Sequence, residues 1–191
     1  MSPFHQMVER RATGRMLVAL VLILAVVMVS VQALDVPWSL VRLKHMTGGV
    51  SILDMQFHYS ARGARDVLTA LGPEGRDFYL WRILAALDVL LPALFATVLT
   101  AAMAVSFRGV VEQRSAWRFA QWLPLAAMLL DYIENAFIAK LLLDFPREHA
   151  TLAAVAGWTT TAKQFAYLAC VLVCVAAGVA RISRRSGVAR A

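Results

Sequence analysis

Residues 119–143 read FAQWLPLAAMLLDYIENAFIAKLLL. A helix rises about 1.5 Å per residue and the hydrocarbon core of a bilayer is about 30 Å thick, so a stretch of this length can span it. It is too long and too apolar for a surface helix, and it lacks the period-2 alternation of a barrel strand. Yet it holds Asp131, Glu134 and Lys140. Ionisable groups inside a bilayer are costly, so they normally face a bundle interior and pair there. At about 100° per residue, Asp131, Glu134, Asn135 and Ile138 fall on one stripe, and Lys140 falls on the opposite face. Read as a span, the stretch needs other helices to cover its polar stripe.

Three further stretches meet the length requirement. Met16–Leu34 has no charge, Tyr79–Phe107 is interrupted by Arg82 and Asp88, and Leu152–Ala180 holds Lys163. Of the 191 residues 60% are apolar, and the mean hydropathy is +0.66. Ordinary soluble domains are roughly 45–50% apolar. A soluble fold of this size would have too few polar residues to cover its surface. The composition also excludes disorder, collagen and a disulfide scaffold. The expected fold is all-α, a single membrane domain over residues 1–191. It is a four-helix bundle with spans at about 16–34, 79–107, 119–143 and 152–180 and a short helical outer (periplasmic) cap. Val31-Gln32-Ala33 has the small-x-small form of a signal-peptidase site. However, the apolar run from Leu17 to Ala33 exceeds an ordinary signal core, so the segment is read as a retained span. Arg10-Arg11 lacks the flanks of a twin-arginine signal.

The net charge of +7 is unevenly distributed. Arg10, Arg11, Arg15, Arg108, Arg114, Arg118, Arg181, Arg184, Arg185 and Arg190 flank the spans on one side, against only Glu9 and Glu112. On the other side Arg42, Lys44, Arg62, Arg65, Arg76 and Arg147 face Asp35, Asp54, Asp66, Glu74, Asp77, Asp144 and Glu148. Basic flanks stay in the cytoplasm. The expected location is a bacterial inner (plasma) membrane, multi-pass, with N- and C-termini cytoplasmic. Bases confined to short flanks suit anionic lipid rather than nucleic acid. Trp38, Phe78, Tyr79, Trp81, Phe145 and Trp158 near the outer ends, and Phe107, Trp117, Phe119 and Trp122 near the inner ends, read as interfacial belts.

Residues 35–78 form the outer cap. Val36–His45 reads as a short interfacial helix with Pro37 at its start and Gly48-Gly49 beyond its end. The partial alternation of Ile52–Tyr59 reads as a brief extended piece. Ser60 is a good N-cap for a helix over Ala61–Leu71. Gly72 then ends that helix and Pro73 opens the next.

Inside the spans, Thr159, Thr160, Lys163 and Tyr167 share one stripe, and Trp81, Asp88 and Pro92 another. Pro92 has no amide hydrogen to offer the Asp88 carbonyl, which is left free at the depth of the charges. Three helices can therefore converge on one polar cluster, with Glu134 the expected partner of Lys163. Lys140 and Arg82 lie near the outer end and are expected to snorkel, or Arg82 to cap the cluster. Asp88, Asp131 and Glu134 outnumber Lys163. We therefore expect a proton, a cation or a basic ligand group to complete the cluster. The candidate ligand- or ion-binding residues are Asp88, Asp131, Glu134, Asn135, Thr160, Lys163 and Tyr167.

Three roles suit such a cluster. The first is non-enzymatic binding of a small ligand, lipid headgroup or ion from the outer side. The second is an intramembrane enzyme using Asp131 or Glu134 as acid or base, tuned by Lys163. The third is a structural or assembly subunit whose cluster locks the helices together. Membrane lipids, and either a second copy or a partner membrane protein, are the expected partners. Cys170 and Cys174 at i, i+4 read as packing residues. His45, His58 and His149 have no metal-ligand spacing, so neither a metal nor a cofactor is expected, and no residue is assigned as catalytic. The run Leu53-Asp54-Met55-Gln56-Phe57-His58-Tyr59-Ser60, the junction Gly72-Pro73-Glu74-Gly75-Arg76 and Asp131-x-x-Glu134-Asn135 resemble those of small bacterial four-span inner-membrane proteins that are uncharacterised. The resemblance covers about residues 50–165 and implies no activity.

Overall fold

A computed structural model of the chain describes residues 8, 11–112 and 115–188. Glu9, Arg10, Arg114 and Arg190, counted above, lie outside the described residues, as does the side chain of Arg185. The described residues are all-α, with no strand among them. The helices are α1 (Gly14–Gln32), α2 (Leu40–Thr47), α3 (Ala61–Ala70), α4 (Gly72–Phe78), α5 (Asp88–Phe107), α6 (Leu123–Asp144) and α7 (Ala150–Val188). Short 3-10 turns occupy Leu53–Met55 and Ala116–Trp122, and a π-helical segment, Tyr79–Leu87, joins α4 to α5.

Three helices are long and apolar enough to cross a membrane: Gly14–Gln32, the continuous Gly72–Phe107 and Ala150–Arg184. They are consistent with a membrane protein. α6 is 22 residues long, but Asp131, Glu134, Lys140 and Asp144 interrupt it. It therefore falls short of that standard on composition, not on length. α5, α6 and α7 pack on one another, while α1 packs chiefly on α5. The arrangement is thus a three-helix core with α1 at its side, rather than four equivalent helices. Val31 is the buried residue of α1, whereas Val18, Leu22 and Val26 are exposed. A helix apolar all round has no polar face to direct it inward.

Local chemistry sets the helix ends. The Ser39 hydroxyl accepts from the Arg42 amide, so α2 starts at Leu40 and not at Val36, and Pro37 lies in the preceding turn. Gly48, at φ 69°, ends it in the left-handed region. Ser60 caps α3 through the Gly63 amide, as its sequence suggests. The expected extended piece at Ile52–Tyr59 is instead a 3-10 turn followed by irregular backbone. Its Asp54 amide donates to the Tyr79 hydroxyl at 3.4 Å, a contact no strand pairing replaces.

The main buried core sits under the cap. Leu43, Leu53, Tyr59 and Leu68 from the cap pack with Tyr79, Ile83, Ile138, Leu141 and Ala156 from the long helices. Each fully buried side chain of this size contributes about 1.5–3 kcal/mol, so burial holds the cap firmly against the helix ends. Tyr79 and Phe107 belong to the interior and not to the aromatic belts, whereas Trp81, Trp158, Trp117 and Phe119 are exposed. At the opposite, basic end, Arg181 donates to the Val105 carbonyl and Arg184 to that of Gly109 at 3.0 Å. These are carbonyls at and just past the C-terminus of α5, which have no helical partner.

Candidate functional site

Two helical spacings build the polar cluster. Asp131 and Glu134 lie three residues apart on α6, and Thr160, Lys163 and Tyr167 project from one face of α7. Lys163 Nζ lies 3.2 Å from Asp131 Oδ1 and 2.5 Å from Glu134 Oε2. The Thr160 hydroxyl donates to Glu134 Oε1 at 2.6 Å, and the Tyr167 hydroxyl donates to Asp131 Oδ2 at 3.0 Å. Glu134 and Thr160 are wholly buried. One ammonium thus bridges two carboxylates, and each carboxylate has a further hydroxyl donor. Thr159, expected on the same stripe, instead returns its hydroxyl to the Val155 carbonyl at 2.9 Å. Lys140 is exposed and binds Asp144 at 2.8 Å, clear of the cluster, and Arg82 is exposed too.

The third helix joins through its backbone. Pro92 leaves the Asp88 carbonyl free, and Asn135 Nδ2 donates to it at 3.2 Å. Next to it, the Tyr132 hydroxyl donates to the Val89 carbonyl at 2.8 Å. At this junction Asp88 Oδ2 and Asn135 Oδ1 are buried without a hydrogen-bond partner. A buried acceptor left unpaired costs about 1–3 kcal/mol, and more when charged. Trp81, expected on the Asp88 stripe, faces outward at 62% exposed. The Asp88 amide donates to the Ile83 carbonyl, five residues back. That wider turn breaks the 100° step assumed for an α-helix.

The cap contributes a residue that periodicity does not reveal. Asp54 accepts from the Tyr79 hydroxyl at 2.5 Å. With Asp88, Asp131, Lys163 and Tyr167 it lines a cavity of about 420 Å³. Leu24 and Met28 of α1, Phe95 and Leu99 of α5, and Val171 of α7 supply apolar walls. Glu134, Asn135 and Thr160 support the cluster but do not line the cavity. Tyr59 of the cap lies beside Thr160, and burial pushes its phenol above the ordinary range. His58 Nδ1 is 3.1 Å from both the Gly157 carbonyl and the Thr161 hydroxyl, and Thr161 donates to the Phe57 carbonyl at 3.1 Å. These bonds clamp the cap loop onto α7. Cys170 is buried and Cys174 half-buried, both as free thiols.

Burial holds the Asp54 carboxyl above the ordinary carboxylate range, against the opposing pull of Lys163 and the Tyr79 hydroxyl. A raised folded-state pKa means that folding favours the protonated form. That contribution is complete below the ordinary Asp value and is lost as pH rises through the folded-state value. Wild type is therefore expected to lose stability relative to Asp54→Asn as pH rises across that interval. Thermal unfolding at a series of pH values checks this, and a difference that stays constant with pH contradicts it.

Compared with protein-family models, with curated proteins and with solved structures, the chain matches none.

Proposed function

We propose that the chain is an integral membrane protein that binds a small ligand bearing a positively charged hydrogen-bond donor, such as an ammonium group on an amphiphile or lipid headgroup. On this reading α6 is the fourth span. It is about 33 Å long, lies against both α5 and α7, and turns Asp131 and Glu134 toward Lys163 of α7. The basic end, with Arg108, Arg118, Arg181 and Arg184, is then cytoplasmic in a bacterial inner membrane, and the cap and cavity belong to the outer half.

One observation carries the binding reading. Asp88 lines the cavity and keeps a buried carboxylate oxygen with no partner, while the cluster's one base is committed to Asp131 and Glu134. Asp54, Asp88, Asp131 and Glu134 outnumber Lys163 in a low-dielectric space, where an added cation is strongly favoured. The apolar walls suit an alkyl portion. Acid–base catalysis by Glu134 fits less well, because that carboxylate is sealed from the cavity by its own partners.

Hexylammonium and hexanol are the matched probes, with binding to the detergent-solubilised protein measured by calorimetry. Asp88→Asn keeps the side-chain shape and removes the charge. We expect it to weaken hexylammonium binding about tenfold or more, with little effect on hexanol. Equal binding of hexylammonium to wild type and Asp88→Asn would sink the proposal.

A further inference from the structure

A second pocket lies on the capped side of the molecule, away from the carboxylate cavity. It has a volume of about 250 Å³ and is lined by Arg62, Arg65, Arg147 and His149 over a floor that includes Leu68 and Ala153. We propose that it is an anion site for a phosphate group, the mono- or diester of a lipid headgroup or a free phosphate. This inference rests on other residues than the proposed function and stands apart from it.

Glu148, the acid in the pocket's lining, and Asp144 just before the lining loop are already committed. Glu148 pairs with Arg65. Asp144 lies 2.5 Å from His149 Nε2 and 2.8 Å from Lys140 Nζ. Arg62 and Arg147 are exposed and pair with no carboxylate among the described residues. The pocket therefore presents two free guanidinium groups, whose planar forks match phosphate oxygens. Two helices also begin at its wall, α3 at Ala61 and α7 at Ala150. The first amides of a helix have no partner within it and carry partial positive charge, which adds to the attraction for an anion.

The setting is pre-organised and interfacial. Arg76 stacks 4.1 Å over the Phe145 ring and donates to the Leu68 carbonyl at 2.8 Å. It thereby ties the α6–α7 loop to α3 and α4 at the pocket wall. Trp158, about 12 Å further along α7, is exposed as an interfacial tryptophan would be. A phosphodiester at the headgroup level would sit beside the arginines with its acyl chains along the apolar floor.

The test uses the purified full chain and phosphatidylglycerol, with bound lipid counted by native mass spectrometry. Arg62→Gln with Arg147→Gln is expected to weaken lipid binding about 100-fold, tenfold or so for each charge-assisted pair. Both side chains are exposed and unpaired, so helix content and melting temperature should stay at wild-type values. Arg42→Gln makes the same charge change on the capped side, at a residue paired with Asp35 at 3.7 Å, and should leave binding unchanged. Millimolar inorganic phosphate that displaces the lipid identifies a site open to free phosphate. Lipid that resists it while remaining arginine-dependent identifies a headgroup site. Equal lipid binding by wild type and the double variant overturns the assignment, as does an equal loss in Arg42→Gln.

Discussion

Lys163→Met is expected to destabilise the folded protein by about 3–5 kcal/mol, the cost of leaving a buried ion pair half-removed. Lys163 is the only ammonium within reach of Glu134 and Asp131 among the described residues, at 2.5 and 3.2 Å. Asp131 would keep the Tyr167 hydroxyl, and Glu134 the Thr160 hydroxyl. Glu134 is wholly buried, however, and one neutral donor does not offset an unpaired charge there. The compensating change follows from the same geometry. Glu134→Gln in the Lys163→Met background removes the stranded charge and keeps an oxygen for Thr160, so most of the lost stability should return. Unfolding in detergent of wild type, both single variants and the double variant measures the coupling. A cost below about 1 kcal/mol for Lys163→Met would mean that the pair contributes little.

The second large effect concerns the clamp between the cap and α7. A Cβ added at Gly157 would stand 2.0 Å from the Tyr59 carbonyl oxygen and 3.1 Å from its carbon. Both are backbone atoms, so no side chain can swing aside. Helix propensity alone would favour Gly157→Ala by about 1 kcal/mol, but displacing packed backbone costs about 3 kcal/mol and outweighs it. The variant should lose the His58–Gly157 and Thr161–Phe57 contacts, lower the melting temperature, and raise amide exchange over residues 52–60. Gly178→Ala is the control. Its added Cβ meets nothing closer than Ser106 Oγ at 4.0 Å, so there propensity should win and stability should hold or rise. Similar destabilisation in both variants would contradict the clamp.

The contacts that follow a regular period are legible in the sequence. α6 and α7 keep the α-helical step, so the spacing of Asp131 and Glu134 and of Thr160, Lys163 and Tyr167 suffices to bring them together. The free Asp88 carbonyl follows from Pro92 alone, and Asn135 is its donor. Where the step changes, side chains leave the faces that a 100° period gives them. No residue type marks Tyr79–Leu87 as a π-helix, so Trp81 is expected inward and is found facing out. Asp54 is hidden for a different reason. It reaches Tyr79 across 25 residues from a short 3-10 turn in the cap, and the placement of such a turn follows tertiary contacts rather than local pattern. Tyr79 and Phe107 sit near span ends and resemble belt residues, yet packing buries both. The role of α1 is equally invisible in its own sequence, because an unbroken apolar helix does not indicate which neighbour it meets.

If Asp88 Oδ2, buried without a partner beside the 420 Å³ cavity, is a ligand contact, a complex with an ammonium probe must show it. A high-resolution structure of the protein in lipid nanodiscs with hexylammonium addresses it most directly. The expected result is density for the ammonium within hydrogen-bond distance of Asp88 Oδ2, with the alkyl chain toward Phe95 and Leu99. A cavity filled only by acyl chains, with Asp88 bonded to another group of the protein, would contradict it.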